Sequence, residues 1–69
     1  MLNMVDFYGY LSDSEIRMVG KLIKKFGLRS RTDGDFVQVF GVNRYSDAAE
    51  ELRKTALHQD ETEIENWRG

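Results

Sequence analysis

One histidine and a spread of carboxylates are the residues of this chain whose types suit catalysis. His58 is the only imidazole, and Asp60 and Glu61 follow it closely. A neighbouring carboxylate can tune a histidine for proton transfer near neutral pH. The competing use is an exposed position at a helix C-terminus, where a cationic histidine is favoured by the dipole. We favour this second use. Catalysis would also need a nucleophile paired with His58, and three of the four serines fall at predicted helix caps or starts.

The remaining carboxylates and glycines do not build a recognisable site. Asp33 and Asp35 flank Gly34, so a turn already explains them, and the spaced ligands of a calcium loop are missing. The six glycines lack a phosphate-binding spacing, and one histidine without cysteine cannot form a usual structural zinc site. We therefore expect no metal, no cofactor and no enzymatic activity.

Aromatic and arginine side chains form the pattern with functional content. Period-two alternation along three predicted strands places six of them, together with one glutamine, on one sheet face, opposite Val5, Phe7, Val37 and Val39. The seven are Tyr8, Tyr10, Arg29, Arg31, Phe36, Gln38 and Phe40. Arginine and aromatic residues are the types that anchor protein interfaces. Monomeric domains rarely leave such a patch bare, so we predict that it binds a partner.

A helix over residues 13–26 has the clearest local signals. Ser12 and Glu15 have the spacing of a capping box, and Gly27 suits the left-handed position that ends a helix. Apolar residues recur between them at helical spacing: Ile16, Val19, Ile23 and Phe26. Gly20 costs about 1 kcal/mol relative to alanine inside a helix, so we expect close contact there with another element or chain.

The other elements are three strands and a second helix. Strands are predicted at 4–10, 28–32 and 36–42, with Asp33 and Gly34 as a two-residue type I′ turn that sets Arg31 opposite Phe36. The second helix is predicted to start at Ser46 or Asp47 and to end near His58. Its apolar stripe is Ala49, Leu52 and Ala56, with Leu57 as a further member.

The resulting order is β-α-β-β-α, with a final β left open. Phe7-Tyr8-Gly9-Tyr10 before Ser12-Asp13 is echoed by Val39-Phe40-Gly41-Val42 before Ser46-Asp47. Two βα units of this kind predict an α+β fold of the split βαβ, ferredoxin-like type, with a small antiparallel sheet and both helices on one face. We assign one domain to 1–59 and an acidic tail to 60–69, which forms a helical turn, an edge strand around Ile64 to Trp67, or neither.

A short motif resembles a known family. Phe36-Val37-Gln38-Val39-Phe40-Gly41 followed by Ser46-Asp47-Ala48-Ala49-Glu50-Glu51-Leu52 is similar to the second half of SPOR-type domains. The resemblance covers residues 36–52 and implies a βαββαβ fold. Members of that family typically bind septal peptidoglycan outside the membrane on an anchored chain. We carry over the fold and leave the ligand, because this sequence shows no signal, anchor or linker.

Length and charge favour association. A chain of 69 residues without cysteine buries only about 60% of its unfolded surface, so partners help to stabilise it. Six of the ten basic residues lie in 1–34 and eight of the twelve acids in 35–69, a polarity that suits binding of a charged partner. No apolar run approaches the roughly 20 residues of a membrane helix, and we expect a cytoplasmic protein that binds no membrane.

Three different partners could cover the sheet face that carries these seven residues. They are the tail through Trp67, another protein including a second copy, and single-stranded nucleic acid. We favour a non-enzymatic interaction module, such as a virus- or mobile-element-encoded inhibitor or regulator that binds a host protein in the host cytoplasm. A homodimer is one form of this prediction. The alternative is a single-stranded RNA or DNA binder, with Lys21, Lys24 and Lys25 as accessory basic residues. The acidic total and the lack of an RNP-like string count against it.

Overall fold

A computed structural model describes residues 3–60, which form a four-stranded antiparallel sheet and two helices. In chain order the elements are β1 (Met4–Tyr10), α1 (Asp13–Phe26), β2 (Arg29–Asp33), β3 (Phe36–Asn43), α2 (Asp47–Arg53) and β4 (His58–Asp60). The strands lie in the order β2-β3-β1-β4. Each helix therefore joins two strands that run the same way and are separated by a third. This confirms the predicted α+β class and its split βαβ arrangement.

One apolar core lies between the sheet and the helices. Val5 and Phe7 alternate with exposed or half-buried residues along β1, and β3 contributes Val37 and Val39 in the same way. The helices contribute the buried residues Val19, Ala48, Ala49 and Leu52. Since both helices pack on this one face, the described residues place no helix on the other face of the sheet.

The predicted bounds of α1 are confirmed, and so is its N-terminal cap. The backbone N–H of Ser12 donates to Glu15 Oε1 at 2.8 Å, and the backbone N–H of Glu15 donates to Ser12 Oγ at 3.3 Å. The bond from the Ser12 backbone stabilises the charged carboxylate and lowers the pKa of Glu15. Gly27 ends the helix with a φ of 65°. These contacts are local, which is why the sequence alone predicts them.

The expected role of Gly20 is wrong for contacts within the described chain. A Cβ built on Gly20 has no atom within 4 Å outside its own helical turn, so no neighbouring element requires glycine there. The close approach lies instead at Gly9, where a Cβ would stand 3.4 Å from Leu57 Cδ2. Gly20 is an exposed position in the middle of α1.

The hairpin between β2 and β3 differs from its predicted register by two residues. Asp33 pairs with Phe36 and Arg31 with Gln38, so the loop is Gly34 and Asp35. Gly34 has a φ of 61°, whereas no described residue other than glycine has a positive φ. That pattern is typical of a type II′ turn, which needs glycine only at its first central position. Because the shift is two residues, every side chain keeps its predicted face.

The end of the second helix was predicted too late. α2 stops at Arg53, and Thr55 Oγ1 donates to the carbonyl of Leu52 at 2.6 Å beyond it. Ala56 is exposed and outside the helix, while Leu57 is buried in the connection. His58 begins the edge strand β4, so its predicted place at a helix end is wrong. β4 runs through Asp60, the first residue assigned to the tail, and the predictions for Ile64 to Trp67 lie outside the described residues.

Candidate interaction surface

The sheet face opposite the helices, called the open face below, is organised in three rows across the strands. The pairings align Arg31, Gln38, Tyr8 and His58 in the middle row. Asp33, Phe36 and Tyr10 form the row on one side. Arg29 and Phe40 with Asp6 and Asp60 form the row on the other side. The open face therefore carries all seven residues that the sequence predicts for partner binding.

Four rings form an aromatic cluster on the open face. Phe36 lies 5.2 Å from Tyr10 and 6.5 Å from Tyr8, measured between ring centroids, and Tyr8 lies 5.7 Å from the ring of His58. These separations are those of interacting aromatic pairs. The cluster is not covered by other described residues, since Tyr10 is 79% exposed and Tyr8 is 38% exposed.

His58 belongs to this surface although sequence reasoning did not place it there. It pairs with Tyr8 in the sheet, so its imidazole extends the cluster from β1 onto the edge strand. The sequence signal that could have placed His58 on the open face is the period-two alternation of a strand over residues 58–60. Histidine, glutamine and aspartate have little strand propensity, so no strand was predicted there. Their strand conformation comes from pairing with β1, which local sequence does not reveal.

Phe40 lies apart from the aromatic cluster. It is half-buried beside an open cleft of about 320 Å³ that Met4, Leu28, Arg29 and Gly41 also line. The cleft lies where the register between β1 and β3 shifts after Val5. Phe40 therefore contributes apolar surface at one corner of the open face rather than at its centre.

Charged groups of both signs lie on the open face. Arg29 and Arg31 are exposed on the edge strand β2. Asp60 lies on the other edge strand, β4, where it pairs with Asp6 of the central strand β1. Asp33 adds a third carboxylate at the end of β2. The open face therefore carries charged groups on both edge strands and on the central strand β1, around the aromatic cluster.

The accessory lysines do not join this surface. Lys21, Lys24 and Lys25 are exposed on α1, which packs against the opposite face of the sheet. The Lys25 ammonium lies 5.2 Å from the centroid of the Phe26 ring, a cation–π contact on the helix itself. The structure thus separates the basic helix from the aromatic cluster.

A second concave region lies at the start of α2 and is structural. It is an open groove of about 720 Å³ lined by Arg44, Tyr45, Ser46, Glu50, Arg53 and Gln59. Arg53 Nη2 donates to the carbonyl of Arg44 at 2.5 Å, and its Nε donates to Gln59 Oε1 at 2.8 Å. These bonds tie α2 to β4 and to the loop before the helix. The Arg53 guanidinium is therefore used in holding the fold.

Other kinds of site receive no support from the described residues. Across 3–60, no group of three or more histidine or acidic side chains is placed to hold a metal ion. Neither α1 nor α2 has the length and apolarity to cross a bilayer. Comparison of the chain with protein-family models, with curated proteins and with solved structures finds no match. The resemblance to SPOR-type domains stays a prediction.

Proposed function

We propose that this chain is a non-enzymatic protein-interaction module that binds a protein partner through its open face. The observation that carries the proposal is the one-sided packing of the sheet. Both helices cover Val5 and Phe7, whereas Tyr10 on the other face is 79% exposed within the described residues. Burying an aromatic side chain contributes roughly 1.5 to 3 kcal/mol, so three or four such rings supply a substantial interface.

The charge distribution favours protein over nucleic acid. Arg29 and Arg31 share the open face with three carboxylates, and the basic residues of α1 lie on the other side of the sheet. Single-stranded nucleic acid binding depends on net positive potential along the phosphate path. The observation in favour of this alternative is the aromatic cluster, because Tyr8 and Phe36 are adjacent on two central strands where bases can stack.

A small module with this surface suits an inhibitor or regulator that acts by occupying a surface of another protein. We place it with the small binding proteins that viruses and mobile elements encode, acting in the cytoplasm. This part of the proposal rests on analogy, because such proteins are often short, compact and free of cysteine. The binding surface itself rests on the open face.

Site-specific photocrosslinking tests the surface. A photoreactive phenylalanine analogue replaces Tyr10 on the open face, and in a matched control it replaces Met18, which is 56% exposed on α1. The labelled proteins are incubated with an extract of the encoding cell and irradiated. We expect discrete protein adducts from position 10 and few from position 18. Adducts to nucleic acid alone, or equal labelling from both positions, would overturn the proposal.

A salt titration tests the alternative that the chain binds single-stranded nucleic acid. A labelled single-stranded oligonucleotide is mixed with the protein at low and at moderate ionic strength. We expect no saturable binding at low salt. Tight binding at low salt that weakens steeply as salt is added would instead identify a nucleic-acid binder.

A further inference from the structure

The outer edge of β2 is open to pairing with another strand. β2 lies at the end of the strand order, and all five of its residues are exposed. Edge strands are commonly protected by a proline, a bulge or a covering helix. β2 contains no proline, its register with β3 is regular, and no described residue buries it. The opposite edge strand, β4, has only three residues.

We propose that an extended segment of the partner protein pairs with this edge as a fifth strand, and that the segment carries acidic residues at two alternate positions. The inference rests on the proposed function, because it names how the same partner is recognised. The added strand lies beside the open face rather than over it, so the aromatic cluster stays available to the rest of the partner. Strand addition of this kind is a recurring mode of peptide recognition.

The backbone of two β2 residues faces away from the sheet. Asp33 and Phe36 close the two-residue loop as a hydrogen-bonded pair, and such pairs alternate along antiparallel strands. The intervening residues, Ser30 and Thr32, therefore direct their N–H and C=O groups away from β3. Neither residue forms a backbone hydrogen bond outside the sheet within residues 3–60. An added strand supplies partners for these two donors and two acceptors.

The side chains of β2 specify the charges of the added strand. Arg29, Arg31 and Asp33 lie on the open face, and none of them has a salt bridge to another of the described residues. Opposite charges on directly opposed residues stabilise a strand pair. Every strand pair in the described sheet is antiparallel. An added antiparallel strand therefore carries a basic residue opposite Asp33 and acids opposite the two arginines.

A second copy of β2 fits this edge less well than a strand of another protein. The register that pairs Ser30 with Thr32 of a second copy sets Arg29 opposite Asp33 twice, but it also sets the two copies of Arg31 opposite each other at the centre. Like charges directly opposite one another destabilise a strand pair. A foreign strand with an acid at the central position makes all three charge contacts favourable.

Amide hydrogen exchange with a synthetic peptide tests the inference. The probe is the capped peptide Lys-Val-Glu-Val-Glu, whose lysine lies opposite Asp33 in an antiparallel pair. In the free chain, the amides of Ser30 and Thr32 should exchange faster than that of Arg31. We expect saturating peptide to slow exchange at Ser30 and Thr32 by at least about tenfold. The control peptide Glu-Val-Lys-Val-Lys, with its charges exchanged, should bind at least about tenfold more weakly.

Modified peptides and matched variants make the test specific to a paired strand. N-methylation of both valines removes the N–H groups that donate to Ser30 and Thr32, so it should abolish binding. Arg31→Glu should weaken binding of the probe by about threefold to tenfold, and a peptide with lysine in place of the central glutamate should restore it. Arg17→Glu, on the exposed side of α1, should leave binding unchanged. Circular dichroism melting checks that both variants fold.

Several results would overturn the strand assignment. They are no binding of the probe at millimolar concentration, equal binding of the N-methylated peptide, and protection that falls outside β2. Protection of Ser30 and Thr32 that rises with protein concentration in the absence of peptide would overturn it as well, because a second copy would then occupy the edge. Crosslinks from position 10 to another protein would still support the proposed function, so the two failures are distinguishable.

Discussion

The carboxylate of Asp6 accepts a hydrogen bond at 2.9 Å from the backbone N–H of Gly41, 35 residues further along the chain. Gly41 has a φ of 62°, and it lies where the β1–β3 register shifts. A bulge of this kind leaves a backbone N–H without a partner strand carbonyl. Asp6 supplies the missing acceptor, so one side chain both stabilises the bulge and places negative charge on the open face.

Two substitutions at Asp6 separate these two roles. Asp6→Ala removes the acceptor, and we expect the free energy of unfolding to fall by about 1 kcal/mol. Asp6→Asn keeps an acceptor oxygen and removes the charge, so its loss of stability should be smaller. Chemical denaturation of both variants checks this. Equal losses for alanine and asparagine would show that the Gly41 bond does not contribute.

Gly20→Ala should stabilise the protein. The added Cβ meets no atom within 4 Å outside its own turn, and alanine is favoured over glycine in a helix by about 1 kcal/mol. The matched change Gly27→Ala should destabilise it, because the φ of 65° at that position strains an alanine. Thermal melting of the two variants should show shifts of opposite sign. A destabilised Gly20→Ala variant would mean that another chain packs at that position.

Truncating a side chain in the core should have a different effect from truncating one on the open face. Leu52 is fully buried, so Leu52→Ala should cost about 2 to 5 kcal/mol, most of the stability expected for a domain of this size. Tyr10 is largely exposed and its ring pairs with Phe36, so Tyr10→Ala should cost no more than about 1 kcal/mol of stability while it weakens partner binding. Denaturation and crosslinking yields measure the two effects. A large loss of stability for Tyr10→Ala would mean that the ring is covered within the monomer.

The capping box makes part of the helix stability depend on pH. The Ser12 backbone hydrogen bond lowers the pKa of Glu15 below its ordinary value of 4.5. The folded state therefore favours the carboxylate, so its contribution is present above that ordinary value and is lost as pH falls through the lowered one. We expect Glu15→Gln to show a smaller fall in stability on acidification than the wild type. Denaturation at pH 7 and pH 3 measures the difference, and identical falls would contradict it.

Local signals explain which elements were predictable from the sequence. The bounds of α1 follow from contacts between residues three or four positions apart, such as Ser12 with Glu15. The face on which each strand residue lies follows from period-two alternation. A shift of two residues in the hairpin register leaves each side chain on the same face. The end of α2 does not follow in this way, because Ala56 and Leu57 continue the apolar pattern while the chain turns into β4.

The residues of the open face also fall into those that local sequence predicts and those that only long-range pairing places there. Seven of its residues follow from alternation along β1, β2 and β3. His58 and Asp60 join it only because β4 pairs with β1, a contact between the two ends of the described chain. The accessory lysines were grouped with the surface by charge alone, and charge does not specify on which side of a sheet a helix packs.

The spatial order of the strands constrains the sequence of folding. β1 is synthesised first, yet it lies between β3 and β4, and it cannot pair until Phe36–Asn43 is available. A nascent chain can form α1 and the β2–β3 hairpin early, since both need only nearby residues. Its first strand has both edges unpaired during that interval, and one edge stays open until His58–Asp60 arrives. Completion of the sheet therefore awaits release of nearly the whole described chain, and the domain folds late in its own synthesis.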